Sequence, residues 1–325
     1  MKKLFYSTEM NSNRNSGAFV LSALAASEDI SRILEKNPIG NVHSVFNTSF
    51  NLAFGEHLVH IGAVENGLAP FGIGMEQANA QLLTKLVGID QKVFWDQRSM
   101  SLVFPRGISL SLVQVKWTNH KLQSFNYQSV YLEANFEVIA GRLLQADWQT
   151  GLAETEEEKK RIIHYLLDPS SSHEDVLVLE KLEDLKKLAS NHEGTEAEKV
   201  FNYWIGRGLG LTPSGDDVIT GICAVLTALQ GTSQTFLQEL KDYLLEHGRK
   251  RTTHIALEYL HYATDNKFHT HLLEICTVLD KPQGPEFLNA LEEMKKMGHT
   301  SGADTLVGIL VGIRASILFK KSKKG

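Results

Sequence analysis

Two adjacent aspartates at the mouth of an apolar run, Asp216 and Asp217 in GLGLTPSGDDVITGICAVL, set the chemical question for this chain. The same arrangement returns near the C-terminus in GHTSGADTLVGILVG. Ser214, Gly215, Asp217 and Gly221 match Ser301, Gly302, Asp304 and Gly308 without gaps, and Thr212 and Thr300 lie just upstream. A serine followed three residues later by an acid is a capping box, which by itself accounts for Ser214 with Asp217 and Ser301 with Asp304. Glycine directly after the cap and again inside each helix is costly relative to alanine, by about 1 kcal/mol per interior position. Such glycines fit close helix packing or close approach of a ligand to the backbone. Asp216 stands outside the capping register, and Ala303 takes its place in the echo.

Two helix N-termini facing one site would present free N–H groups and positive dipole ends, suited to a small anionic substrate such as a phosphate or carboxylate. Thr212, Ser214, Thr300 and Ser301 add hydroxyl donors, and Gly215 and Gly302 leave the backbone open. Three aspartates would repel that guest. Either Asp217 and Asp304 fold back as caps, or Asp216, Asp217 and Asp304 hold a cation such as Mg²⁺ beside it. Between the two motifs, GRKRTTHIALEYL offers Arg251 and Thr252 at a helix start as a phosphate clamp, or else a solvated basic loop. His299, directly before Thr300, is placed as a proton carrier near neutral pH. His254, His261, His269 and His271 show no metal-binding spacing, and GxGxxG, GxxxxGK[ST] and GxSxG are all absent.

The elements that must position these residues divide the chain in two. The first third reads as strands, in HSVFNTSFNLAF, HLVHIGAV, VFWD, SLVFP and ISLSLVQVKW, with Asn66-Gly67 the strongest hairpin signal. From about Tyr127 the apolar period becomes helical, and Glu154–Lys160 reads as a solvated helix start. The expected fold is α+β: a β-rich N-terminal domain over residues 1–125, an antiparallel sheet or small barrel, then a mainly helical domain over 126–325 carrying both motifs. The chain has 325 residues and a formal net charge of −5, which argues against nucleic acid as a partner. Cys223 and Cys276 read as buried hydrophobes in a reducing compartment. No run of about 18 apolar residues is unbroken, so no membrane partner is expected, and the expected location is cytoplasmic.

GLGLTPSGDDVITG, RTTHIALEYL and GHTSGADTLVGILVG, in that order, resemble the AllH family, as do SVFNTSFNLAF and NGLAPFGIGM more weakly. The resemblance implies a subunit of an oxamate carbamoyltransferase of allantoin catabolism, working with other subunits of a carbamoyltransferase complex on carbamoyl phosphate and oxamate. It further implies that Thr212, Ser214, Gly215, Ser301 and Gly302 hold phosphate or carboxylate, that Arg251 and Thr252 assist, and that Asp216 or His299 handles the proton. No cofactor is certain, with Mg²⁺ the one candidate. The competing readings are a self-sufficient Mg²⁺-dependent hydrolase and a non-catalytic assembly subunit in which the motifs are only caps.

Overall fold

Strand-forming residues at alternate positions can bury one face only by packing on a second layer or by closing on themselves. The structure, a computed structural model, describes residues 19–127, 129–168 and 177–323. The polar N-terminal segment, the SSHEDV stretch and the end of the basic tail lie outside them. In the first third the strands close. In order they are β1 (Phe19–Ser27), β2 (Ile39–Val45), β3 (Phe50–Phe54), β4 (His57–Ala63) and β5 (Gly72–Met75). Then come β6 (Lys92–Asp96), β7 (Ser101–Phe104), β8 (Ile108–Ser111) and β9 (Lys116–Thr118). The hydrogen-bonded order is β5-β4-β3-β2-β6-β7-β8-β1, and antiparallel pairing of β1 with β5 closes the ring into an eight-stranded barrel. β9 continues the parallel edge along the second half of β1. Closure removes exposed sheet edges, and the interior is filled by Leu52, Phe54, Val59, Ile61 and Leu110.

The expectation of a β-rich barrel or sheet is met, with three local differences. ISLSLVQVKW is not one strand: it breaks after Ser111, and the chain turns before β9. Asn66-Gly67 does not turn a hairpin. It lies between β4 and β5, which run parallel, because β5 must also meet β1 antiparallel to close the barrel. The tight hairpin is at Gly55-Glu56, between β3 and β4, where Gly55 adopts φ +63°. Two short helices, α1 (Asp29–Lys36) and α2 (Gln77–Leu86), also interrupt a region read from sequence as strand alone.

The helical part comprises α3 (Ser129–Leu143), α4 (Glu156–Leu167), α5 (Leu177–Ala189), α6 (Ala197–Trp204) and α7 (Ser214–Ala228). It continues through α8 (Thr235–Arg251), α9 (His254–Thr264), α10 (Thr270–Val278), α11 (Pro285–Glu293) and α12 (Ser301–Ser322). The acidic stretch is a helix start as expected: Thr155 caps α4, its hydroxyl accepting from the Glu158 N–H. At the centre lie α7 and α12, both wrapped by apolar neighbours on nearly all sides. By length and composition α12, with a mean hydropathy of 1.6, could cross a membrane, but 83% of that stretch is buried inside the protein. It is a core helix here. Cys223 and Cys276 are unpaired and buried, as read.

The two central helices run side by side with their N-termini at the same end. A Cβ at Gly221 would lie 2.1 Å from the Thr305 carbonyl oxygen, and one at Gly308 would lie 2.1 Å from the Val218 carbonyl oxygen. These contacts exchange under the 87-residue offset of the two motifs, so the pair has a local two-fold axis between the helices. The glycines are there because backbone meets backbone.

Candidate functional site

Two cavities lie where the barrel meets the helices. The larger, about 620 Å³, is lined by Glu56, His57, Arg249, His254 and Glu258 among others. Its charges are matched to one another: Arg249 with Glu56 at 2.5 Å, and His57 with Glu258 at 3.2 Å. The second, about 310 Å³, sits at the end where α7 and α12 begin, at the small end of the range for ligand pockets. Thr212, Asp217 and Thr220 enter it from one helix start, and Ser301 and Thr305 from the other. His60 and Asn66 close it from the barrel, and His269 from the start of α10. Only this cavity has orphaned polar atoms in its wall: Asp217 Oδ2 and Thr305 Oγ1 are buried with no hydrogen-bond partner among the described residues. Leaving such groups unpaired costs about 1–3 kcal/mol each. They are the groups a ligand would satisfy.

The capping-box reading is corrected. Both helices begin one residue earlier than that register requires: Pro213 and Thr300 are the caps, Ser214 and Ser301 are the first helical residues, and no side chain caps either helix. The acids therefore reach across instead of back. Burial and the neighbouring Asp304 and Asp216 charges push the Asp217 carboxyl well above the usual range, against support from the hydroxyls of Ser301 and Thr212. Asp304 is raised by burial and supported by Thr150 and by Ser214 of the other helix. Its Oδ1 accepts from the Thr150 hydroxyl and from the Gly151 N–H at 3.1 Å. Two positive helix ends at one place offset part of the cost of these buried acids.

Asp216, the acid without a counterpart, is a clasp. One oxygen accepts the Gly206 N–H at 2.9 Å and the other the Thr252 hydroxyl, tying α7 to the turn after α6 and to the start of α9. Burial lifts it to about 6, and the Thr252 and Gly206 hydrogen bonds pull the other way. A Thr252→Val change leaves one oxygen of this buried carboxyl without a donor. The expected cost in urea denaturation is about 1–3 kcal/mol, with additivity to Asp216→Asn absent in a double-mutant cycle. Additive losses would show that no such bond operates.

The cavity thus gathers Thr212 and Ser301, whose hydroxyls meet at 2.9 Å, together with Asp217. It does not gather the others. Ser214 lies beneath Gly151, on the opposite face of the helix pair. Gly215 and Gly302 back onto the carbonyl oxygens of Trp204 and Met294, each 2.0 Å from where a Cβ would stand, so they serve packing. The Arg251 guanidinium donates to the Asn202 carbonyl oxygen. Thr252 borders the larger cavity, while Thr300 and the exposed His299 lie in the turn before α12 and line neither cavity. Nor do the acids make a cage for Mg²⁺. Asp216 and Asp304 already accept from N–H and O–H donors, and no group of three or more His, Cys, Asp or Glu fit to hold a metal occurs among the described residues. Sequence reasoning missed Thr305, His60 and His269. The signal for Thr305 was a polar residue beside Asp304 in an otherwise apolar run.

Residues 204–313, which hold both motifs and every residue that the helical part places on the cavity wall, match the family described as oxamate carbamoyltransferase subunit AllH. Residues 22–120, the barrel, match the AllH family N-terminal domain. The chain belongs to the AllH family. No solved structure matches it. Within this AllH fold the two matched regions meet at the small cavity, with His60 and Asn66 from one and Asp217 and Ser301 from the other.

Proposed function

We propose that this chain is the subunit of an oxamate carbamoyltransferase that binds the small anionic substrates, in the cavity at the start of α7 and α12. The observation that carries this reading is the pair of orphaned buried polar atoms, Asp217 Oδ2 and Thr305 Oγ1, in the wall of a cavity of about 310 Å³. The family description supplies the chemistry. In one direction the oxamate nitrogen attacks the carbamoyl carbon of carbamoyl phosphate. The bond from that carbon to the phosphate oxygen breaks, phosphate departs with the electron pair, and the nitrogen gives up a proton. In the other direction phosphate attacks the terminal carbonyl of oxalurate, and the departing oxamate nitrogen takes a proton up.

Both substrates are small anions, and the donors here suit them. Thr212 and Ser301 bring hydroxyls, and the first turn of α12 has no side-chain cap competing for its N–H groups. Fixed donors of this kind cost little reorganisation as charge develops during transfer. His60, pushed down to about 4 by burial, and His269, held well below its ordinary range by burial, are neutral members of the wall. Allantoin catabolism as the setting, a cytoplasmic location and partner subunits belong to the same proposal. Neither competing reading gains support: the acids do not assemble a metal cage, and the unpaired groups exceed what caps require.

Phosphorolysis of oxalurate by this chain, alone and reconstituted with its co-purifying subunits, tests the proposal. Activity is expected in the assembled complex, falling about 10²–10³-fold on Ser301→Ala or Thr305→Val at unchanged melting temperature. Arg251→Ala should leave the rate within a few fold. Full activity in the Ser301 and Thr305 variants would remove this cavity from the reaction.

A further inference from the structure

The two faces of the central helix pair are related by its local two-fold axis, yet only one of them is open. On the closed face the loop between α3 and α4 sits on Ser214 and Asp304. The Gly151 N–H donates to Asp304 at 3.1 Å, the Thr150 hydroxyl donates to the same oxygen, and a Cβ at Gly151 would lie 2.1 Å from Ser214 Oγ. On the open face Ser301 and Asp217 occupy the equivalent places, and the cavity lies where the loop would be. Asp217 Oδ2 lacks the donor that Asp304 finds in its own chain. The closed face therefore displays the complement that this Ser–Asp pair accepts: a planar amide N–H pressed against the carboxyl.

We propose that Asp217 recognises a terminal carbamoyl or ureido group of the ligand through its amide N–H and carbonyl oxygen, the group standing where Thr150 and Gly151 stand on the other face. This rests on the carbamoyl-transfer reading and names the part of the substrate that this helix pair holds. A carboxyl in its neutral form, which burial beside Asp304 and Asp216 favours, pairs with a primary amide through two hydrogen bonds. It accepts from the N–H and donates to the carbonyl. The neighbouring histidines fit the same polarity. His60 donates from Nδ1 to Asn51 Oδ1 at 2.9 Å, leaving Nε2 as an acceptor in the wall, whereas His269 accepts the His271 N–H at Nδ1 and so keeps its proton on Nε2. A ligand with no N–H at this end would leave Asp217 unsatisfied, and rejection of that kind is stronger than a hydrophobic wall provides.

Titration calorimetry with oxalurate and with N-acetyloxamate, its isostere bearing methyl in place of the terminal NH₂, tests the assignment on the full chain with its co-purifying subunits. The wild-type protein should bind oxalurate at least about tenfold more tightly. In Asp217→Leu that preference should vanish, with N-acetyloxamate retained within about threefold, and Asp217→Asn, whose amide still pairs with a carbamoyl group, should recover part of it. Equal binding of the two ligands to the wild-type protein overturns the inference and leaves carbamoyl transfer standing, as does a preference that survives in the leucine variant. Binding of neither overturns the substrate reading itself. The wild-type comparison holds without the variant should the leucine protein not fold.

Discussion

The Gly308→Ala protein is expected to lose on the order of 3 kcal/mol of stability or more, and Gly308→Val to give no folded protein. Helix propensity alone predicts the opposite sign, since alanine is favoured over an interior glycine by about 1 kcal/mol. Packing decides. The added methyl of alanine would stand 2.1 Å from the Val218 carbonyl oxygen, on backbone that cannot swing aside as a long side chain can. The helices must separate, and the loss spreads to the core residues that interlock around them, among them Ile222, Leu306 and Ile309, all fully buried. Gly221→Ala should cost a similar amount, because its Cβ meets the Thr305 carbonyl at the same distance. Gly141, inside α3 with nothing within 4 Å of its Cβ, is the control, and Gly141→Ala should be neutral or stabilise by up to about 1 kcal/mol. Urea denaturation of the three variants decides the matter. If Gly308→Ala proves no less stable than Gly141→Ala, the helices do not touch as described.

Asp217→Asn is expected to make the protein more stable at pH 7 and to flatten its dependence on pH. The sign follows from the direction of the shift. Burial, with Asp304 and Asp216 alongside, raises the Asp217 carboxyl well above its unfolded value, so the folded chain binds a proton that the unfolded chain releases. Stability is then fullest below about pH 4 and falls as pH rises toward the folded value, by up to about 1.4 kcal/mol per pH unit for each proton taken up. Asparagine takes up none. The variant should be more stable at pH 7 by roughly 1–4 kcal/mol, and the slope that remains combines Asp216 and Asp304, both also raised, with His60 and His269, whose lowering acts in the opposite sense. Denaturation midpoints between pH 4 and pH 8 measure this directly, and a slope unchanged from the wild type would mean that Asp217 is ionised in the folded protein. A destabilising acid kept at a cavity wall is the trade between stability and function found at ligand sites.

Much of this architecture is legible in the residues. The change from alternation to a helical period near Tyr127 marks the passage from barrel to helices, because a strand and a helix bury different spacings of the same apolar residues. The echo between the two motifs, with glycines at equal intervals, announces two equivalent helices, and the structure packs them together at those glycines. Short helices inside the barrel escape the reading. α1 buries only Ile30, Ile33 and Leu34, too few turns for a period to stand out from the strands around it. Asn66-Gly67 misleads for a different reason. Positive φ at Gly67 is real, at 79°, but strand direction is set by closure of β5 onto β1, which no local signal carries.

For the site, the residue pattern alone points to the starts of two closely packed helices, but of the hydroxyls, glycines and acids it marks there only Thr212, Asp217 and Ser301 line the cavity. It singled out Asp216 as the acid without a counterpart. What that difference means is set by the folded chain. The helices begin one residue earlier than a capping box requires, so Asp216 turns toward Gly206 and Thr252 and is satisfied, while Asp217 faces a cavity. Asp217 and Asp304 hold equivalent places in the two motifs and in the helix pair, and their spacing does not tell them apart. They differ because a loop more than 150 residues earlier than Asp304 donates its N–H to that acid and leaves the other open. Hydrogen-bond satisfaction of a buried carboxyl depends on what the whole chain brings to it, and a local pattern holds no record of that.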